Sequence, residues 1–76
     1  MNDRLRKILS DVFEVKENEI TELLTKDDFD SWDSLRQMDL VVSLEEEFDF
    51  QLEIEDIVRL DSVKEIINVL NSKNVL

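Results

Sequence analysis

A serine stands at the predicted start of a helix, in the stretch DSWDSLRQMDLVVSLEEEF that covers residues 30–48. Nucleophilic catalysis by Ser34 would need a base and usually an orienting third group. The chain has no histidine, and no lysine or glycine-rich turn lies near Ser34 in the sequence, so hydrolase activity is not expected. Two interpretations stay open at this point. Ser34 shares the capping of the helix with Asp33, or another enzyme modifies it, because a helix N-terminus favours an attached phosphate.

The helix that begins at Ser34 has apolar residues on two faces. One set falls within roughly 100° of the helical wheel and is sufficient to face a core; it consists of Leu40, Val41, Leu44 and Phe48. A second apolar set lies nearly opposite and contains Leu35, Met38 and Val42. The carboxylates of Asp39 and Glu46 are interleaved with it, and those of Glu45 and Asp49 lie at one edge. Apolar patches with polar rims tend to mark interaction surfaces. The alternative is that the preceding loop folds over this second set and buries it.

Composition narrows the possible functions. The chain has 76 residues, which predicts one small domain over residues 1–76, and it contains no Cys, His, Gly or Pro. Disulfides, thiolate sites and imidazole sites are therefore excluded, and no EF-hand-type loop is present. A cation site would depend on clustered acids such as Glu45, Glu46 and Glu47. The absence of Gly and Pro argues against hairpins and for an all-helical fold.

The net charge is −11, and residues 17–61 alone carry −13. Nucleic acid is not an expected partner, because phosphate binding needs a basic face. A protein partner with a basic patch is the natural complement, although acidity that only maintains solubility is equally open. The sequence has no apolar run near 18 residues and no signal-peptide pattern, so we expect no membrane insertion and a cytoplasmic location.

The apolar periodicity predicts three main helices and one short one. The main helices are expected over residues 3–16, 34–49 and 63–71, and the short one over 54–59. Ser62 and Glu65 have the spacing of a capping box for the last helix. Residues 17–33 form a long first loop, with a helical turn expected near 20–24 and an apolar set expected to pin it to the core: Ile20, Leu23, Leu24 and Phe29. A small four-helix bundle is the economical packing.

The run DSLRQMDLVVSLEEEFDFQLEIEDIVRLDSVKEIINVL, residues 33–70, resembles the acyl carrier protein family. It has the family's D-S-L motif, the helix ending in L-E-E-E-F, and the acidic turn that leads to an S-V helix, without a gap between them. The resemblance implies a four-helix bundle whose serine carries 4′-phosphopantetheine. Ser34 matches the attachment position, flanked by Asp33 and Leu35, and the chain itself would not be an enzyme.

The resemblance also implies partners. A phosphopantetheinyl transferase would install the arm from coenzyme A, and acyl or aminoacyl groups would then be held on its thiol as thioesters. Ligases, synthases or transferases with basic docking patches would load and use that cargo, with the carrier acting as a monomer. The positions that match the family's docking residues are Leu35, Met38, Asp39, Val42, Glu45 and Glu46, which we call the outer face. A small acidic module that binds partners without modification is the alternative on the same fold.

Three departures from the family pattern bear on specificity. The Trp-Asp-Ser-Leu sequence at residues 32–35 is similar to that of specialised carriers more than to that of the housekeeping fatty-acid carrier. Trp32 itself could equally contact a partner or anchor the loop. Arg36 places a positive charge where the family often has an acid, which would alter partner choice. Ile57 and Ile66 occupy positions that are often alanine in fatty-acid carriers. Their bulk should narrow the interior cleft and favour short or polar cargo.

Overall fold

A computed structural model describes residues 1–76 and contains helices but no strands. The four α-helices are α1 (Asp3–Phe13), α2 (Ser34–Phe48), α3 (Ile54–Val58) and α4 (Val63–Ser72), with two 3-10 turns between α1 and α2. The predicted all-α bundle, with three main helices, one short helix and a long first loop, is confirmed. None of its helices has the length and apolar character needed to cross a membrane.

Helix α1 is shorter than predicted. It starts where the Asn2 side chain accepts hydrogen bonds from the N–H groups of Arg4 and Leu5, and it ends at Phe13. Glu14 then takes a left-handed conformation with φ of 56°, and the N–H groups of Glu14 and Val15 both donate to the Ser10 carbonyl. The predicted end at residue 16 was therefore wrong. A left-handed residue after a helix is usually Gly or Asn, and glutamate gives no such signal.

The long first loop is organised by two 3-10 turns, Glu17–Glu19 and Lys26–Asp28. At residues 20–24, where a helical turn was predicted, the chain forms a single hydrogen-bonded turn in which the Leu24 N–H donates to the Thr21 carbonyl at 3.3 Å. The 3-10 turns lie on either side of it, and the second is started by a capping box between Thr25 and Asp28. Leu23 is 87% exposed and does not pin the loop, contrary to prediction. The other three members of the predicted apolar set are buried or half-buried against the core. The loop is also joined to the start of α4, since the Val63 N–H donates to the Leu24 carbonyl at 2.9 Å.

The core is a continuous cluster of side chains from α1, α2, α4 and the loops. Its fully enclosed members include Leu5, Leu9, Leu40, Leu44 and Ile66. Each such side chain contributes about 1.5–3 kcal/mol through removal of apolar surface from water. The predicted inner stripe of α2 is thus confirmed, with Phe48 half-buried at its end. Burial of this stripe fixes the rotation of α2, and so determines which residues face outward.

Helix α4 begins with only half of the predicted capping box. The Ser62 hydroxyl accepts the Glu65 N–H at 3.1 Å, as predicted. The Glu65 carboxylate, however, does not return to the Ser62 backbone; it accepts hydrogen bonds from Arg59 at 3.3 Å and from Asn68 at 3.2 Å. The ion pair with Arg59 links α4 to the residue that ends α3.

Helix α3 has five residues and depends on side-chain contacts, because so short a helix is unstable alone. Asp56 completes a capping box with Glu53 and forms an ion pair with Lys73 at 2.8 Å. The Lys73 ammonium, followed by the Glu53 N–H, holds the pKa of the Asp56 carboxyl below its usual value, and Asp56 in turn raises the pKa of Lys73. The pair thereby fastens α3 to the C-terminal end of α4.

Candidate functional site

Ser34 is the first residue of α2, and its side chain is exposed. The Asp33 carboxylate accepts the Arg36 N–H at 2.8 Å, and the Asp33 carbonyl accepts the Gln37 N–H at 2.9 Å. Asp33 therefore caps the helix as predicted, and the Ser34 hydroxyl takes no part, since it makes no hydrogen bond within the protein. The N–H groups of Ser34 and Leu35 have no backbone partner. An exposed hydroxyl beside free N–H groups suits an attached phosphate.

An open cleft of about 390 Å³ lies beside Ser34. It is bounded by the last part of the first loop, the first turn of α2, and the end of α3, and its lining residues are Lys26, Trp32, Asp33, Ser34, Gln37, Ile57, Val58, Leu60 and Asp61. The sequence predicted Ser34 and Asp33 as site residues and Ile57 as a residue that narrows a cleft, but it did not predict that Ile57 and Val58 lie across a cleft from Ser34. The Ile57 and Val58 side comes from α3, and nothing in the sequence spacing shows that α3 approaches Ser34.

Gln37 joins the three parts of the cleft. Its side-chain oxygen accepts the Trp32 indole N–H at 2.7 Å, and its amide nitrogen donates to the carbonyls of Leu60 at 2.9 Å and Ile57 at 3.3 Å. Trp32 is buried and packs on Phe13 with ring centroids 4.5 Å apart. Of the two roles left open for Trp32, the structure shows the loop anchor.

Replacing Gln37 with leucine removes these three hydrogen bonds while keeping a side chain of similar size. It leaves the Trp32 N–H and the Leu60 carbonyl without a partner, while the Ile57 carbonyl still accepts the Leu60 N–H. We therefore expect the free energy of unfolding to fall by about 2 kcal/mol. Urea denaturation followed by circular dichroism measures this. Gln51→Leu is the matched control, because Gln51 is exposed and makes no side-chain hydrogen bond. An equal effect of the two substitutions would contradict a bracing role for Gln37.

Arg36 is committed within the protein. Its guanidinium donates to the Val12 carbonyl at 2.6 Å and to the Glu14 carboxylate at 3.1 Å. A cation at the last carbonyls of α1 is also favoured by the helix dipole. These contacts hold the end of α1 against the start of α2. Arg36 therefore has a role within the fold, apart from the effect on partner choice expected from the sequence.

The outer face of α2 is accessible. Leu35, Met38 and Val42 are 71%, 52% and 48% exposed, so the alternative in which the loop buries them is wrong. Asp39 and Glu46 are exposed, whereas Glu45 is half-buried and accepts the Leu52 N–H at 2.8 Å. The structure therefore brings the apolar members and two of the three acids together on a free surface, and gives Glu45 a structural partner.

The three consecutive acids Glu45, Glu46 and Glu47 do not form a metal site. Glu47 is held by Arg4 at 2.9 Å, Glu45 by the Leu52 N–H, and Glu46 projects from the outer face. No group of three or more acidic side chains in the structure is close enough together to hold a metal ion. Nothing in the arrangement of these side chains supports the cation-binding hypothesis.

The protein-family model and the curated relatives that match this chain agree on one family. Residues 3–70 match the protein-family model described as "Phosphopantetheine attachment site". The chain is 34% identical over 71 residues to an acyl carrier protein of Buchnera aphidicola subsp. Schizaphis graminum, covering 93% of this chain and 90% of that protein. It is 32% identical over 72 residues to an acyl carrier protein of Petrotoga mobilis, covering 93% and 84% of the two chains.

Proposed function

The chain belongs to the acyl carrier protein family, and from this we propose that Ser34 is the residue on which it carries 4′-phosphopantetheine. Members of this family are carriers and not enzymes, and this prosthetic group is the one that the family's attachment site takes. The observation that carries the assignment to Ser34 is its exposed, unbonded hydroxyl at the start of α2, beside an open cleft.

The surroundings of Ser34 fit the group. The Ser34 oxygen would form a bond to the phosphorus that bears the pantetheine in coenzyme A, as the pyrophosphate P–O bond breaks and adenosine bisphosphate leaves. A base of the transferase would take the hydroxyl proton, because no side chain of this chain accepts a hydrogen bond from the Ser34 hydroxyl. The free N–H groups of Ser34 and Leu35 would be available as donors to the phosphate. When bound, the arm supplies a thiol that holds acyl groups as thioesters.

We propose that the outer face is where partner enzymes dock. Its apolar centre offers contact area, and its exposed acids complement a basic patch on a phosphopantetheinyl transferase or on an acyl- or aminoacyl-loading enzyme. Modest contact area suits a carrier, since it must leave each partner after delivery.

The experiment that tests the attachment site is intact-mass analysis of the purified chain. It is incubated with coenzyme A and a broad-specificity phosphopantetheinyl transferase, and the product is digested and sequenced by tandem mass spectrometry. We expect one pantetheine phosphate per chain, located on the peptide that contains Ser34. A wild-type chain that stays unmodified would contradict the proposal and favour the alternative, an acidic module that binds partners non-covalently.

We further propose that the cargo is short or polar. Ile66 is fully buried, Ile57 is half-buried against the core, and the three cavities of the protein all open to the surface. Loading a long-chain acyl group should therefore leave the methyl resonances of Ile66 and Leu40 close to their positions in the holo form, because a well-packed core has no room for the chain. Large shifts of both would show that the acyl chain enters the core and would contradict the proposal.

The pathway in which the carrier acts is fatty-acid or specialised-metabolite biosynthesis, and the Trp32–Leu35 sequence is the feature that resembles carriers of the specialised kind. A cytoplasmic location, a monomeric state and one carrier domain over residues 1–76 remain parts of this proposal.

A further inference from the structure

We infer that the Lys26 ammonium contacts the phosphate on Ser34 and directs the attached arm along the cleft toward Ile57 and Val58. This rests on the proposed function and goes beyond it by assigning a positioning residue. Lys26 and Ser34 line the same cleft, although eight positions separate them in the sequence. Lys26 comes from the second 3-10 turn of the first loop, whereas Ser34 comes from α2.

Lys26 is the basic side chain of residues 17–61 that has no ion-pair partner. Residues 17–61 contain three basic side chains. Arg36 is paired with Glu14 at 3.1 Å and Arg59 with Glu65 at 3.3 Å. Lys26 makes no ion pair and no side-chain hydrogen bond, even though Asp33 and Asp61 line the same cleft. Its ammonium is therefore free for an anion that arrives in the cleft.

The backbone of Lys26 is held in place, so its side chain does not need the loop to reorganise. The Lys26 N–H donates to the Asp61 carbonyl at 3.0 Å. The preceding residue, Thr25, caps the turn with Asp28 and forms a bridge with Ser62. The backbone of Lys26 is thus fixed relative to the start of α4, and its exposed side chain extends from that fixed point.

A phosphate on Ser34 needs a neighbouring cation because its surroundings are strongly acidic. It would lie next to Asp33, in a segment whose net charge is −13. The free N–H groups at the start of α2 can serve one side of the phosphate, and Lys26 can serve the side that faces the cleft. Between them the arm would run over the Ile57 and Val58 side chains, which offer apolar contact for its geminal methyl groups.

The test uses the full chain carrying an unlabelled arm on ¹³C,¹⁵N-labelled protein. Isotope-filtered NOE spectra should show cross-peaks from the arm's geminal methyl groups to the methyl groups of Ile57 and Val58. In Lys26→Gln we expect these cross-peaks to lose at least half of their intensity and the ³¹P resonance to shift, and Lys26→Arg should restore both. Lys64→Ala is the matched control, because Lys64 is exposed on α4 and unpaired; it should match the wild type.

Folding of each variant is checked by the amide spectrum, and modification by intact mass. A modified wild type without arm-to-α3 cross-peaks, or a Lys26→Gln variant whose cross-peaks and ³¹P resonance match the wild type, would overturn the inference and leave the proposed function intact. A wild type that takes no arm would overturn both.

Discussion

Ser34→Ala should abolish phosphopantetheine transfer completely and leave the fold unchanged. The Ser34 hydroxyl makes no hydrogen bond within the protein, and Asp33 supplies the cap of α2. Alanine is also a good helix former. We therefore expect the free energy of unfolding to change by no more than about 0.5 kcal/mol, the range usual for exposed positions away from special features. Intact mass after incubation with coenzyme A and a transferase, together with urea denaturation, measures both quantities on one sample.

Ser31→Ala is the matched control, because it removes a hydroxyl only three positions away that has a structural task. The Ser31 hydroxyl donates to the Phe13 carbonyl at 3.0 Å. Its loss should cost about 1 kcal/mol of stability but leave transfer complete. Modification that persists in Ser34→Ala would contradict the attachment site. A loss of transfer accompanied by unfolding would show instead that Ser34 is needed by the fold.

The sequence alone predicted α2 and its two faces because both depend on local information. Asp33 gives a start signal, and Leu40 and Leu44 satisfy the core at helical spacing, which turns Met38 and Val42 outward. The end of α1 could not be predicted in the same way. Glu14 adopts a left-handed conformation without the Gly or Asn that usually marks it, and the Arg36 contacts to its carboxylate and to the Val12 carbonyl come from far along the chain.

Only the part of the site that is formed by neighbouring residues in the sequence was predicted. Ser34 and its neighbours follow from the motif and the helix start, but the cleft depends on contacts between distant segments. Gln37 looks like an ordinary helix residue in the sequence, and the structure shows it joining Trp32 to the end of α3. The sequence also could not show which of the three basic side chains of residues 17–61 form ion pairs. Arg36 and Arg59 are paired through tertiary contacts, which leaves Lys26 free.

Met38→Ser should weaken recognition by the transferase without weakening the fold. Met38 is 52% exposed at the centre of the outer face, between Leu35 and Val42. Apolar anchors near the centre of an interface carry a large share of its binding energy, and a loss of about 1.4 kcal/mol corresponds to about tenfold in affinity. We therefore expect kcat/KM for phosphopantetheine transfer to fall about tenfold, with the urea midpoint unchanged. Steady-state kinetics at several carrier concentrations measures this.

Leu23→Ser separates this effect from a general loss of apolar surface. Leu23 is 87% exposed but lies in the first loop, outside the outer face, so the kcat/KM of the Leu23→Ser variant should equal that of the wild type.

Asp39→Asn separates the contribution of the apolar Met38 side chain from that of the exposed charges. Because exposed charges mainly steer encounter, it should lower kcat/KM at low salt and approach the wild type as salt rises, whereas the deficit of Met38→Ser should persist. If Met38→Ser and Leu23→Ser behave alike, the partner does not use the outer face, and docking must be sought on the side of the cleft that α3 supplies.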